Sequence, residues 1–117
     1  MHKKIKTYIG IMLFVISLIV YILTLEPTTS FWDCSEFITC ANKLEIAHAP
    51  GAPTFILLGR LFSLFAGSPG NVAYTINLLS ATASALTAMF LFWIICWFAE
   101  KLTANSKRII LSNPKQF

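Results

Sequence analysis

The sequence predicts an all-α membrane protein: two transmembrane helices flanking an extracytoplasmic loop that carries one or two interfacial helices. Three observations lead there. Hydrophobic residues make up 56% of the 117 positions and charged residues only 12%, too apolar a mixture for an ordinary soluble domain of this length. Two long stretches carry no charge at all. Finally, the basic residues gather at the two ends of the chain, while the acidic ones collect between the apolar stretches.

The first apolar stretch, residues 8–25 (YIGIMLFVISLIVYILTL), is 18 residues without a charge. At about 1.5 Å per residue it is just long enough for a hydrocarbon core of roughly 30 Å. It is long for the apolar region of a secretory signal, and Glu26-Pro27-Thr28 after it lacks a small-x-small cleavage site, so an uncleaved first span is expected. Residues 26–53 form an acidic extracytoplasmic loop. Residues 54–66 (TFILLGRLFSLFA) are 13 residues with Arg60 at the centre. That is about 20 Å of helix carrying a charge that costs roughly 2.5–3.5 kcal/mol at mid-membrane. Pro50, Gly51 and Pro53 before it and Gly67, Pro69 and Gly70 after it prevent extension. A short interfacial helix is the better fit, its leucines and phenylalanines dipping into lipid and Arg60 reaching headgroups or an anionic ligand. Residues 72–98 are 27 uncharged residues, long enough for a second span, and residues 99–117 are a basic tail.

Charge sets the orientation. Lys3, Lys4 and Lys6 precede the first span, and Lys101, Lys107, Arg108 and Lys115 follow the second. Both termini are therefore expected in the cytoplasm, with Glu26, Asp33, Glu36 and Glu45 on the far side. Two crossings satisfy that parity and three do not. The net charge of +4 is not gathered into a basic patch with aromatic platforms, which argues against nucleic acid as a partner. The three cysteines show no metal-binding spacing and read as small apolar fillers. In the second span, Ser80, Ser84 and Ala88, with Ala81 and Ala85 beside them, form small-residue rows suited to close helix approach. The first span has few small residues to answer them, so other membrane helices are expected as partners.

The loop holds the chemistry. In Ser30-Phe-Trp-Asp-Cys-Ser-Glu-Phe37, Asp33 can cap a helix running to about Ala47, with Glu36 three residues on completing a capping box. Trp32 and Phe37 would then form the hydrophobic staple. The same two carboxylates, at i and i+3 on one helix face roughly 5–6 Å apart, can also take a proton from a hydroxyl or hold a divalent cation with water. A like-charged neighbour and an apolar setting raise one pKa of such a pair, which suits a general base. Capping and catalysis are compatible. His48, before the rigid Ala49-Pro50-Gly51-Ala52-Pro53 turn, reads either as a solvated amphipathic side chain or as a hydrogen-bond donor to a phosphate, and Arg60 as a snorkelling cation or a lipid-phosphate ligand.

These residues also carry a resemblance. LEPTTSFWDCSEF, AHAPGAPTFILLGRLFSLFAG and NLLSATASALTAMFLFW resemble the N-terminus of a bacterial multi-pass membrane family long catalogued as a domain of unknown function. That family is similar to the transmembrane protein O-mannosyltransferases of the GT-C glycosyltransferase superfamily. The resemblance covers about residues 5 to 103, with Ser35 where relatives usually have glycine and His48-Ala-Pro-Gly for the commoner His-Pro-Pro-Gly. It implies transfer of a sugar from a polyprenyl-phosphate donor to a protein or glycan hydroxyl acceptor outside the bacterial inner membrane. Asp33 is then the candidate base and Glu36 its catalytic partner. His48, Arg60 and Trp32 are the candidate substrate-binding residues, and a divalent cation is an open possibility for the acids. Because the family continues for many further spans, the resemblance also implies an N-terminal fragment without transferase activity alone. The alternative is a small two-span membrane anchor or assembly partner, its acidic loop purely structural.

Overall fold

A computed structural model describes residues 2–112, with side chains described over residues 3–106. The helices are α1 (His2–Leu23), α2 (Cys34–Lys43), α3 (Pro53–Ser63) and α4 (Val72–Ser112), and a 3₁₀ turn at Pro69–Asn71 leads into α4. No strand occurs among the described residues. Two helices are long and apolar enough to cross a membrane, over Lys3–Leu23 and within Pro69–Ser106, and the two short helices lie between them in the chain. The predicted fold class is the one observed.

α1 and α4 run antiparallel, with Lys6 paired to Glu100 at one end and Thr28, just past α1, bonded to Asn77 at the other. Their close approach depends on Gly10, where a side chain would overlap the Trp93 indole. With that space free, Trp93 Nε1 donates to the Lys6 carbonyl at 3.2 Å. Such small-residue contacts take the place of hydrophobic driving force between helices in lipid. Ala81, Ala85 and Met89 of α4 are buried within the chain, whereas Ser80 and Ser84 are exposed. The small-residue rows are thus half answered internally, by the alanines, and open on the serine side.

The first half of α4 carries α2 and α3. A single cluster of Ile38, Cys40, Ala41, Ala47, Ile56 and Ile76 joins the three helices, with Phe37, Phe55 and Val72 packed around it. On α3, Ile56, Gly59 and Ser63 face inward at helical spacing, while Leu57, Leu58 and Leu61, and Leu64 just after the helix, are exposed. An outward row of leucines on a short helix between two spans is the composition of an interfacial helix. All three cysteines are free thiols, Cys40 buried and Cys34 and Cys96 half-buried, as apolar fillers are.

Several boundaries differ from those expected. α1 begins near the chain start because its lysines are good helix formers; hydropathy marks the membrane, not the helix. α3 is Pro53–Ser63 rather than 54–66, and backbone turns carry Leu64 to Ala66. α4 continues beyond residue 98 to Ser112 because nothing between Phe98 and Asn113-Pro114 breaks a helix, so the basic tail is helical over its described part. The 99–117 assignment otherwise falls partly on residues 113–117, outside those described. α2 stops at Lys43, not Ala47: Leu44 enters the left-handed region at φ 59°, and Glu45 N–H returns to the Cys40 carbonyl at 2.9 Å. That 6→1 closure is normally built on glycine.

Candidate functional site

The early stop of α2 builds the site. Once Leu44 turns the chain, residues 45–48 run back along the helix, Ala47 enters the core, and His48 arrives beside the first turn of α2. There Glu36 grips it twice. Glu36 Oε1 accepts from the His48 backbone N–H at 2.7 Å, and Oε2 lies 2.9 Å from His48 Nδ1. The Phe37 ring meets the imidazole edge-on at 5.7 Å and is itself met edge-on by Phe55 of α3 at 5.9 Å, so the histidine rests on a ring of α2 that α3 braces. With Nδ1 held by Glu36, Nε2 faces Asp33, whose Oδ2 is 3.8 Å away. Asp33, Glu36 and His48 each present a ligand atom within 4.8 Å of the others.

This geometry replaces the expected capping box. Asp33 is the residue before α2, but at φ −78° and ψ 2° it lacks the extended backbone of an N-cap and makes no side-chain cap bond. Glu36 sits in the first turn and spends its carboxylate on His48 instead of the backbone behind it. The staple is absent too: Trp32 has φ 67° and is 91% exposed, while Phe37 packs on Phe55 and the core.

The dyad shifts both of its members. Glu36 is held below the ordinary carboxylate value of 4.5, first by the backbone N–H of His48 and then by its ring. His48 is raised above its ordinary 6.5, first by the hydrogen bond to Glu36 and then by the charge of the same carboxylate, with Asp33 adding to it. The His48 shift supplies stability that is complete below 6.5 and is lost as pH rises through the raised value. That of Glu36 is complete above 4.5 and is lost as pH falls through the lowered value. Between these limits the His48 imidazolium is paired with the Glu36 carboxylate. We expect the His48 ring to titrate above pH 6.5 by nuclear magnetic resonance, and Glu36→Gln to return its midpoint toward that value; an unchanged midpoint in the variant would mean that the dyad does not form.

Arg60 lies elsewhere. Its guanidinium donates to the Asn42 carbonyl and approaches Asn42 Oδ1 at 3.5 Å, at the opposite end of α2 from Asp33 and Glu36. It ties the last turn of α2 to α3, satisfying an end-of-helix carbonyl. One positioning residue was missed in the sequence. Asn77 Nδ2 donates to the carbonyls of Glu26 and Thr28 at 2.9 and 3.0 Å, anchoring the segment that leads to Asp33 onto α4. Its acceptors are backbone atoms, so no residue pattern announces them.

The donor set can also be judged against a metal. Two carboxylate oxygens and an imidazole nitrogen within 4.8 Å can surround one divalent cation at about 2.0–2.6 Å from each, provided that His48 releases Glu36. The residues fit, with Asp33, Glu36 and His48 as the three ligands.

An antiparallel pair of apolar helices with a cluster of acids and a histidine on the segment between them defines a membrane protein with an ionisable site outside its spans. Residues 33–116 match the family model described as protein O-mannosyl-transferase TMEM260 N-terminal domain, and the chain belongs to that family. It is 42% identical over 77 residues to protein O-mannosyl-transferase TMEM260 of Mus musculus, covering 65% of this chain and 11% of the relative. It is 31% identical over 83 residues to protein O-mannosyl-transferase tmem260 of Dictyostelium discoideum, covering 70% of this chain and 10% of the relative. The chain thus spans about a tenth of the length of these relatives. No solved structure matches it. The match to O-mannosyltransferases anticipated from the loop motifs holds; its relatives here come from eukaryotes.

Proposed function

We propose that this segment supplies the acceptor-activating wall of a membrane-embedded O-mannosyltransferase-like glycosyltransferase. The observation that carries the reading is the meeting of Asp33, Glu36 and His48 on a segment placed between two spans, in a chain whose relatives are named protein O-mannosyl-transferases. Asp33 is the base. Its carboxylate is half-exposed, takes the proton of the acceptor hydroxyl, and frees that oxygen to attack the anomeric carbon of a polyprenyl-phosphate-linked sugar. The bond between the anomeric carbon and the lipid phosphate breaks, and the phosphate leaves with its electron pair. Glu36 holds His48 by two bonds, and the His48 Nε2 proton is the donor offered to Asp33 or to the departing phosphate. Trp32, 91% exposed beside Asp33, is a surface for the sugar or lipid. A divalent cation on the three ligands would supply charge neutralisation at the phosphate. Arg60 serves the donor phosphate only if it gives up Asn42.

The loop faces the extracytoplasmic side of the membrane in this reading, and in a bacterium that membrane is the inner one. The remaining walls around the donor come from further helices of a longer polypeptide. The site is open on this chain, and a barrier reduction by positioning needs enclosure, so the 117-residue chain alone is expected to show no turnover. The test is a full-length relative carrying this loop, offered a hydroxyl-bearing peptide with either polyprenyl-phosphate mannose or nucleotide-linked mannose. Transfer from the lipid-linked donor alone is expected. Equal transfer directly from the nucleotide sugar would overturn the donor assignment, and transfer that survives loss of Asp33 would overturn the site.

A further inference from the structure

We propose that the cleft between α1 and α4 at their lysine-bearing end binds the phosphate headgroup of an anionic glycerophospholipid. A recess of about 330 Å³ opens there between Lys3 and Lys6 of α1 and Trp93, Trp97 and Glu100 of α4. A second recess of about 510 Å³ shares Lys6 and Glu100 and continues along α4 to Ala104. Neither touches the Asp33 cluster, which lies at the other end of the helix pair.

The charges in and around the cleft do not cancel. Glu100 is paired with Lys6, Lys101 lies 5.7 Å from the centre of the Trp97 ring, and the Lys3 ammonium has no hydrogen-bond or ion-pair partner among the described residues. Among the described residues, Lys3 and Lys6 line the recess against Glu100, and Lys101 stands beside its Trp97 wall, so positive charge exceeds negative there. The walls, by contrast, are indole, thiol and methyl groups, with Ile94 and Ile95 exposed on the adjoining turn of α4. A phosphate with an acyl chain attached satisfies both features, the ammonium groups taking the anion and the apolar flank taking the chain. The depth is right as well. Lys6 stands two residues before the apolar stretch that starts at Tyr8, and tryptophans concentrate where hydrocarbon gives way to headgroups. A second copy of the chain would bring the same positive charge to the cleft, which disfavours it as the occupant.

The test uses the 117-residue chain in neutral detergent, with phosphatidylglycerol and phosphatidylcholine as probes and native mass spectrometry counting bound lipid. One phosphatidylglycerol is expected to be retained in preference to phosphatidylcholine. Lys3→Gln with Lys101→Gln should lower that preference by about fivefold for each lysine lost, while Lys43→Gln, on the loop, should leave it unchanged. Equal retention of the two lipids, an unaltered preference in the double variant, an equal loss with Lys43→Gln, displacement by millimolar inorganic phosphate, or a chain that is only a lipid-free dimer would each overturn the proposal.

Discussion

Asp33→Asn, in a full-length relative carrying this loop, is expected to lower sugar transfer by about 10²–10⁴-fold and to leave the fold intact. The asparagine keeps the size and the polar oxygen of the side chain and loses its basicity. The structure sharpens this test beyond the usual conservative substitution. Asp33 makes no side-chain cap bond, its carboxylate is half-exposed, and it faces His48 Nε2 at 3.8 Å. Little stability therefore depends on it, and Asp33→Ala should also unfold close to the wild-type midpoint. Both variants should be folded and inactive. If asparagine preserves transfer while alanine unfolds the protein, Asp33 is a cap and not a base. Glu36 separates from Asp33 in the same assay. Its carboxylate is tied up by His48, so Glu36→Gln should reduce transfer less than Asp33→Asn, through a loosened His48, and should move the pH dependence of the reaction along with the His48 titration.

What the sequence discloses and what it hides follow from where the partners lie. The two spans are legible because lipid demands long uncharged stretches, and α3 because proline and glycine bracket it. The pairing of Asp33 with Glu36 is legible from three-residue spacing. The third member is not: His48 is twelve residues beyond Glu36 and reaches it only because Leu44, a residue with no left-handed preference, takes φ 59° and turns the chain back. Capping box and dyad use the same glutamate, and local sequence cannot rank them; the His48 backbone N–H and ring together outbid one N–H at the helix start. Arg60 shows the same limit from the other side. A lone arginine in an apolar helix suggests lipid phosphate, yet a carbonyl at the end of α2 is nearer. Side chains that bond to backbone leave no mark in the residue pattern, and both Arg60 and Asn77 do so.

Gly59→Val is expected to destabilise the loop domain by about 1–3 kcal/mol through overpacking, and to take the dyad with it. A Cβ at position 59 would stand 2.8 Å from the Ala41 Cβ and 3.6 Å from Ile76 Cγ2. Ala41 and Ile76 are both fully buried, at 0% exposure, so neither has room to retreat. Alanine at 59 meets the same obstacle but gains about 1 kcal/mol of helix propensity over glycine, so Gly59→Ala should be the milder variant. Valine gains less of that propensity and adds two methyl groups at the point of contact. The strain falls on the crossing of α2 and α3, and α2 carries Glu36 while the chain leading into α3 carries His48. A displacement of either helix lengthens the bonds from Glu36 to His48, and the His48 titration should fall back toward 6.5 in the same variant. Unfolding in detergent, followed by circular dichroism, gives the stability. A second substitution tests the cause: Ala41→Gly removes the opposing methyl, so Gly59→Ala and Ala41→Gly should couple favourably by about 0.5–3 kcal/mol in a double-mutant cycle. Strict additivity of the two changes would mean that α2 and α3 do not meet at this glycine.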